Sequence, residues 1–398
     1  MTSRRVAVTG IGVVSALGAT FAEFWEALRR GESGIRPMTL VPPGSLRFPN
    51  AAEVPGFETS RYFDDKEAAF VDRFTQFGAV AAREAIQAAQ VRLDLEHTAI
   101  VTGTSAGGQT TEDENFYNLY ALHARVGPLT IPRVMGNAAA SRISLETGIT
   151  GPVYTVSTAC SSGNHAIGQA YWMVRNGVVD AALAGGSEAP FSLGFLKSWE
   201  AMRVISPDTC RPFSRDRKGL ILGEGGAMLV LEPLEAAQAR GATIWAEIAG
   251  FGMSSDAHHI TQPSPVGAAR AMRAALADAG IAPEAVGYIN AHGTGTQAND
   301  ATEAEAIHSV FGSAKLAVSS TKSMHGHALG AAGAIEAAAV VGALRYGFLP
   351  PTANFTEADP QCDLDVIPNQ GREEQVEWAL SNSFAFGGLN AVLVFCKL

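Results

Sequence analysis

Cysteine is scarce in this chain, and what there is stands apart. Cys160, Cys210, Cys362 and Cys396 are spread over 398 residues with no CxxC pair. That excludes a paired-cysteine zinc site and makes a poor disulfide framework; a reducing cytoplasm suits such usage. Charge is thin as well: 17% of residues are Asp, Glu, Lys or Arg, and the net charge is −10. Nonspecific nucleic-acid binding needs a basic surplus that is missing here, and 47% apolar content argues against disorder. No uninterrupted apolar run approaches membrane-spanning length, so no membrane association is expected. The opening MTSRRVAVTGIGVVSALG has a basic start, but glycines break its apolar run and no small-residue cleavage site follows. It reads as a first strand, not a leader.

What is present is glycine, 42 residues of it, placed inside apolar segments where it serves tight turns and close backbone packing. Short β-branched runs alternate with Ala-rich helical patterns, the mark of α/β layering. Strands are predicted over 5–12, 98–105, 153–159, 179–186 and 227–234, then over 243–252, 286–293, 316–323 and 390–397. Helices are predicted over 79–90, 264–280 and 333–344, and the Pro-rich stretch 36–62 reads as an irregular surface excursion. Asn-His-Ala-Ile-Gly-Gln-Ala at 164–170 echoes Gly-His-Ala-Leu-Gly-Ala-Ala at 326–332, each after a strand and a Ser/Thr-rich turn. The echo predicts two duplicated halves, 1–242 and 243–398.

Three short patterns compete for a function. TGIGVVSALG imitates a dinucleotide fingerprint but reads GxGxxS, with no acid about 20 residues on to hold a ribose; a tight strand-to-helix turn fits better. GTSAG at 103–107 matches a nucleophile elbow and makes a serine hydrolase using Ser105 the rival reading. His325-Gly-His327 lacks a carboxylate or cysteine at helical ligand spacing, so a metal role for it is discounted.

Against these stand three segments: STACSSG around Cys160, NAHGTGTQANDATEAEA from Asn290, and SSTKSMHGHALGAAGAIE from Ser319. Cys160 sits between a β-prone run and a helical one, where a helix N-terminus favours a thiolate and small neighbours leave room for substrate. With RPFSRDRKGLILGEGGA, FGMSSDAHHITQPSP, PPTANFTEADPQCDLDVIPN and ALSNSFAFGGLNAVL, these segments resemble the β-ketoacyl-acyl-carrier-protein synthases, synthase II in particular, over nearly the whole chain. The resemblance implies the thiolase fold, a five-layered αβαβα sandwich of two similar halves, and a decarboxylative Claisen condensation. Cys160 would accept the acyl chain; His292 and His327 would stabilise the enolate left when a malonyl thioester loses CO₂; Lys322 would orient the imidazoles. The backbone N–H groups of Cys160 and Phe386 would form an oxyanion hole, and Thr294 and Thr296 would bind the phosphopantetheine arm. Asp300 and Glu303 match supporting acids, structural or catalytic. Asn290, Glu336, Ser381 and Asn382 match a site for Na⁺ or K⁺, and no other cofactor is implied. The implied partners are an acyl carrier protein, docking at Arg203 and Lys66, and a second subunit.

Departures from the family pattern point to a specialised branch. Ala106 stands where many synthase II enzymes carry a bulkier gate at the acyl pocket, which predicts entry of long, stiff or unsaturated chains. Gly295 and His325 replace a serine and a threonine, and YINAHGTGTQAND and NAVLVF look nearer to nodulation protein E and to polyene-building synthases. A homodimer is expected. A heterodimer with a chain-length-factor-like subunit is the alternative, although such subunits lack the cysteine that this chain keeps. A degradative thiolase is disfavoured, because Cys396 has no glycine after it.

Overall fold

The computed structural model describes residues 3–312, 314 and 316–398. One 11-stranded sheet runs through them. Its order from one edge is Asp365–Val366, Ala317–Ser319, Val286–Asn290, Trp378–Ala385, Leu389–Cys396, Ala246–Ser255, Val6–Val14, Gly225–Pro233, Ala181–Glu188, Thr98–Gly103 and Val153–Val156. The middle join is narrow: Val6, Ala7 and Val8 pair antiparallel with Ile248, Glu247 and Ala246. On either side of it the same five-strand pattern recurs. Val153–Val156, Thr98–Gly103 and Ala181–Glu188 run parallel, followed by antiparallel Gly225–Pro233 and Val6–Val14. Ala317–Ser319, Val286–Asn290 and Trp378–Ala385 run parallel, followed by antiparallel Leu389–Cys396 and Ala246–Ser255.

The sheet curls around two helices, Ser162–Arg175 and Ala332–Tyr346, each of which touches strands of both halves. Helices Arg73–Ala89 and Ala138–Thr147 cover one outer face, and Pro265–Ala279 and Gln297–Phe311 the other, which makes five layers. A helix packed on all sides must be apolar all round. Ala332–Tyr346 is nearly so, its apolar run interrupted by Glu336, which pairs with Lys322; Leu329–Tyr346 reaches a mean hydropathy of 1.3 over 18 residues, enough by length and composition alone to cross a membrane. That stretch is 89% buried inside the protein, the ordinary state of a core helix.

The central helices cross where both are stripped to glycine. A Cβ on Gly163 would lie 2.7 Å from the Ala334 nitrogen, and one on Gly333 2.7 Å from Asn164 Oδ1. This crossing pairs Gly163 with Gly333, whereas the heptapeptide echo pairs 164–170 with a turn that ends where the second helix begins. The echo is therefore out of register with the helix contact.

Other expectations shift at their ends. The predicted strands 98–105, 153–159, 286–293 and 316–323 stop at Gly103, Val156, Asn290 and Ser319; loop follows each, and the last runs into the short helix Lys322–His325. The helix expected from 79 begins at Arg73, where the Asp72 side chain accepts from the Phe74 N–H at 3.1 Å. The 36–62 stretch is no simple excursion: Arg36–Pro37 pairs with Asn50–Ala51, and Val41, Phe48, Ala51 and Val54 are buried. Gly10 and Gly12 lie inside a strand instead of a strand-to-helix turn, and the Ala85 and Ala81 carbonyls of helix Arg73–Ala89 occupy the space their Cβ atoms would need. Gly12→Ala should therefore lower stability by about 3 kcal/mol through overpacking, read as a lower denaturant midpoint.

Candidate active site

Three loops converge at the N-terminal ends of the central helices. The first follows strand Val153–Val156. Ala159 takes φ +50°, an uncommon conformation for a residue with a Cβ, and Cys160 lies just ahead of helix Ser162–Arg175. Ser162 locks the turn, accepting the Thr158 N–H at 2.9 Å and donating to the Ala159 carbonyl at 2.7 Å. The second loop follows strand Val286–Asn290 and carries His292, Thr294 and Thr296, with positive φ at Gly293 and Gly295. The third follows Ala317–Ser319. His327 there donates its N–H to the Ile221 carbonyl at 2.7 Å and accepts the Gly223 N–H at 2.9 Å.

One cleft of about 680 Å³, part of it open to solvent, is lined by Cys160, His292, His327, Thr294, Thr296 and Phe386. The His292 and His327 rings meet edge to face with centroids 5.4 Å apart. The backbone N–H groups of Phe386 and of Cys160 both face the thiol. Thr294 and Thr296 hydroxyls are 2.9 Å apart. Phe386 stacks on Trp199, which also lines the cleft.

Burial pushes the Cys160 thiol up to about 12, and Lys322 and the two backbone N–H groups pull it down without overcoming that. The expected helix-favoured thiolate is thus not the resting state; the sulfur rests protonated. Burial, then the positive charge of Lys322, holds His292 and His327 well below 6.5, and the same causes take His325 to about 3. All three imidazoles are neutral at pH 7. Nδ1 of His292 and of His327 is enclosed and has no partner among the described residues. With Nδ1 enclosed, Nε2 is the nitrogen that each ring presents to the cleft.

Lys322 does not line the cleft. It is fully buried and pairs with Glu336, whose carboxyl burial raises to about 7. Glu303 accepts the N–H groups of His292 at 2.8 Å and Gly293 at 2.7 Å, and Asp300 those of Phe213 at 2.8 Å and Gly295 at 3.2 Å. Both acids hold the His292 loop in shape through these bonds. Ala106, half-buried, stands outside the cleft lining, and so does exposed Lys66 on the short helix Asp65–Ala68. Exposed Arg203 adjoins Val204, which lines the cleft.

Ser105 fails the hydrolase test. Its hydroxyl donates to Glu188 at 2.6 Å, and no imidazole partners it among the described residues. No three His, Cys, Asp or Glu side chains among the described residues form a metal cluster. Sequence reasoning missed Trp199, Glu188 and the partnership of Lys322 with Glu336; a buried lysine has to find an anion, but its sequence does not say which.

Residues 3–237 match the β-ketoacyl synthase N-terminal domain and residues 245–356 the β-ketoacyl synthase C-terminal domain. The chain belongs to the β-ketoacyl synthase family. It is 48% identical to nodulation protein E of Rhizobium sp. (strain N33), over 98% of this ketosynthase and 99% of that protein. It is 42% identical to 3-oxoacyl-[acyl-carrier-protein] synthase 2 of Synechocystis sp. (strain ATCC 27184 / PCC 6803 / Kazusa), over 99% and 98% respectively. The ishigamide ketosynthase/chain length factor structure superposes with a TM-score of 0.96 at 39% identity, covering all of both chains. The ketosynthase has the thiolase fold and the condensing acyltransferase chemistry of its family.

The neutral imidazoles set an acid limit. Each of these three pKa values is depressed on folding, so its contribution is complete above the ordinary 6.5 and is lost as pH falls toward the folded-state value, about 3 for His325. Between those limits the unfolded chain binds protons that the native chain refuses. His325→Gln removes one such proton, so urea titrations between about pH 5.5 and 4 should give a slope of stability against pH smaller by about 1.4 kcal/mol per unit.

Proposed function

We propose that Cys160 takes an acyl chain from an acyl-carrier thioester and that His292 and His327 then drive its condensation with malonyl-acyl-carrier protein to 3-oxoacyl-acyl-carrier protein. The observation that carries this reading is the single cleft onto which Cys160, both imidazoles and the Phe386 N–H all open. The sulfur attacks the acyl carbonyl, the carbonyl oxygen takes negative charge facing the Cys160 and Phe386 amides, and the carrier thiol leaves with the proton that Cys160 gave up. A protonated resting thiol means that this proton moves only with substrate in place. Malonyl carboxylate then departs as CO₂, and its electron pair forms an enolate whose oxygen accepts hydrogen bonds from two neutral Nε2–H groups. The enolate carbon attacks the acyl thioester, the C–S bond breaks, and Cys160 sulfur leaves as thiolate and takes a proton from water, one proton being consumed for each CO₂ released. Thr294 and Thr296, facing the same cleft, hold the phosphopantetheine arm, and Lys322 acts from behind by keeping the imidazoles neutral.

The relatives named 3-oxoacyl-[acyl-carrier-protein] synthase 2 support a carrier-protein partner, with Arg203 beside the cleft mouth a better docking residue than Lys66. Nodulation protein E among the relatives, and the ishigamide ketosynthase, favour a specialised, polyene-type acyl chain over a housekeeping one, and small Ala106 would admit it. The two halves divide at 242/243, between the two five-strand patterns. Exposed Phe116, Tyr120 and Ile131 form an apolar face for a second subunit: a copy of this chain, or a chain-length-factor-like partner as in the ishigamide pair. The enzyme acts in the cytoplasm on this reading, which its likeness to 3-oxoacyl-[acyl-carrier-protein] synthase 2 supports.

The four candidate cation ligands pass a test of fit. Asn290 Oδ1, Glu336 Oε2, Ser381 Oγ and Asn382 Oδ1 are all buried oxygens without hydrogen-bond partners, and Asn290 and Ser381 are register neighbours on adjacent strands. Unpaired buried oxygens are costly, and hard oxygen donors with few carboxylates suit Na⁺ or K⁺. These residues would hold such an ion as a structural element. If they do, melting in NaCl or KCl should exceed that in choline chloride of equal ionic strength, and Ser381→Ala should erase the difference; equal melting in all three salts would remove the ion.

The catalytic reading is tested by intact mass after incubation with acyl-carrier donors. Cys160→Ala should take up no acyl group, and Ser105→Ala should load close to the unsubstituted rate; the reverse pattern would restore the hydrolase. Comparing saturated with polyunsaturated donors tests the specialised branch, which a strong saturated preference would reject.

A further inference from the structure

Glu188 ends strand Ala181–Glu188 with its side chain fully buried, and no basic side chain is paired with it among the described residues. Instead five donors converge on it. Oε1 accepts the Thr104 hydroxyl at 2.9 Å and the Ala106 N–H at 3.2 Å. Oε2 accepts the Ser105 N–H at 2.7 Å, the Ser105 hydroxyl at 2.6 Å and the Gly330 N–H at 2.9 Å. These donors come from two places that the sequence separates by more than 200 residues. Thr104 donates its own N–H to the Val156 carbonyl at 3.2 Å, and its carbonyl accepts from Ser162 Oγ at 3.3 Å. Val156 and Ser162 flank Cys160. Gly330 lies three residues beyond His327, and a Cβ there would come within 2.6 Å of Glu188 Oε2, so the segment sits directly on the carboxylate.

We propose that Glu188 is a positioning residue of the condensing centre, fastening the turn that supports Cys160 to the segment behind His327 and so fixing the spacing between thiol and imidazole. The inference rests on the condensing reading above. Glu188 is outside the cleft lining and touches neither substrate nor reacting atoms. Only a carboxylate serves here. A backbone N–H meets each of its two oxygens, and an N–H cannot accept, so a glutamine in either orientation would turn its NH₂ against a donor. The buried charge also bears on Cys160, where it raises the thiol and adds to the effect of burial.

The half-reactions separate this role from a merely structural one. Acyl loading needs the Cys160 turn and the Phe386 amide; malonyl decarboxylation needs the imidazoles; only condensation needs both in register. In the purified full-length protein, Glu188→Gln should keep loading, read by intact mass, and decarboxylation, read as CO₂ release from malonyl carrier, within about 5-fold of the parent. Condensation should fall by about 100-fold, the scale of a misplacement near 1 Å. Glu188→Asp should fall between the two. Equal losses in all three reactions, tracking a lower melting temperature, would overturn the proposal, as would full condensation in Glu188→Gln. If Glu188→Gln does not fold, Ser105→Ala, which removes one donor and leaves the backbone bonds, should show the same pattern at several-fold size, and unchanged condensation there would also overturn it. A parent chain that neither loads nor decarboxylates would instead overturn the condensing reading itself.

Discussion

The crossing of two helices at Gly163 and Gly333 is the constraint from which the rest of the centre follows. Neither position tolerates a Cβ, because each faces the other helix's backbone or a side-chain amide at 2.7 Å. With the helices that close, the loops leading into them are brought together: one carries Cys160, the other His327. His292 arrives through the sheet, since strand Val286–Asn290 lies between Ala317–Ser319 and Trp378–Ala385. The catalytic neighbourhood is thus a by-product of backbone packing, and its three reactive side chains owe their meeting to residues with almost no side chain.

Burial then decides the protonation states. In a dry interior the neutral form of every isolated group is favoured, and the centre exploits this twice: the thiol stays protonated and the imidazoles stay uncharged. Lys322 is a fully buried cation behind the cleft, held by Glu336. It pulls the thiol down and the imidazoles down together, so a single buried charge biases nucleophile and donors in the senses the chemistry needs. Carboxylates elsewhere around the loops, Glu303, Asp300 and Glu188, are spent on backbone N–H groups.

Much of this was legible in the sequence, for identifiable reasons. Strands 153–156, 286–290 and 317–319 are short apolar runs followed by turns rich in Gly, Ser or Thr, and Cys160, His292 and His327 lie in or just beyond those turns. Strand Trp378–Ala385 is not legible in the sequence, because Ser381, Asn382 and Ser383 make it look like a loop; their oxygens are buried without partners among the described residues. The heptapeptide echo suggested duplication, yet the strand order, which no local pattern reveals, is where the repetition lies. The protonated thiol was missed because a helix N-terminus is visible in sequence and the depth of burial is not.

The enclosed thiol has a consequence for chemical durability. Peroxide and other oxidants attack thiolate, and the path from sulfenic to sulfonic acid becomes irreversible within two steps. A sulfur that burial keeps protonated offers such oxidants almost no anion. The burial that makes Cys160 a poor nucleophile at rest therefore also preserves it, and the protein carries its most vulnerable atom in the form least able to rust.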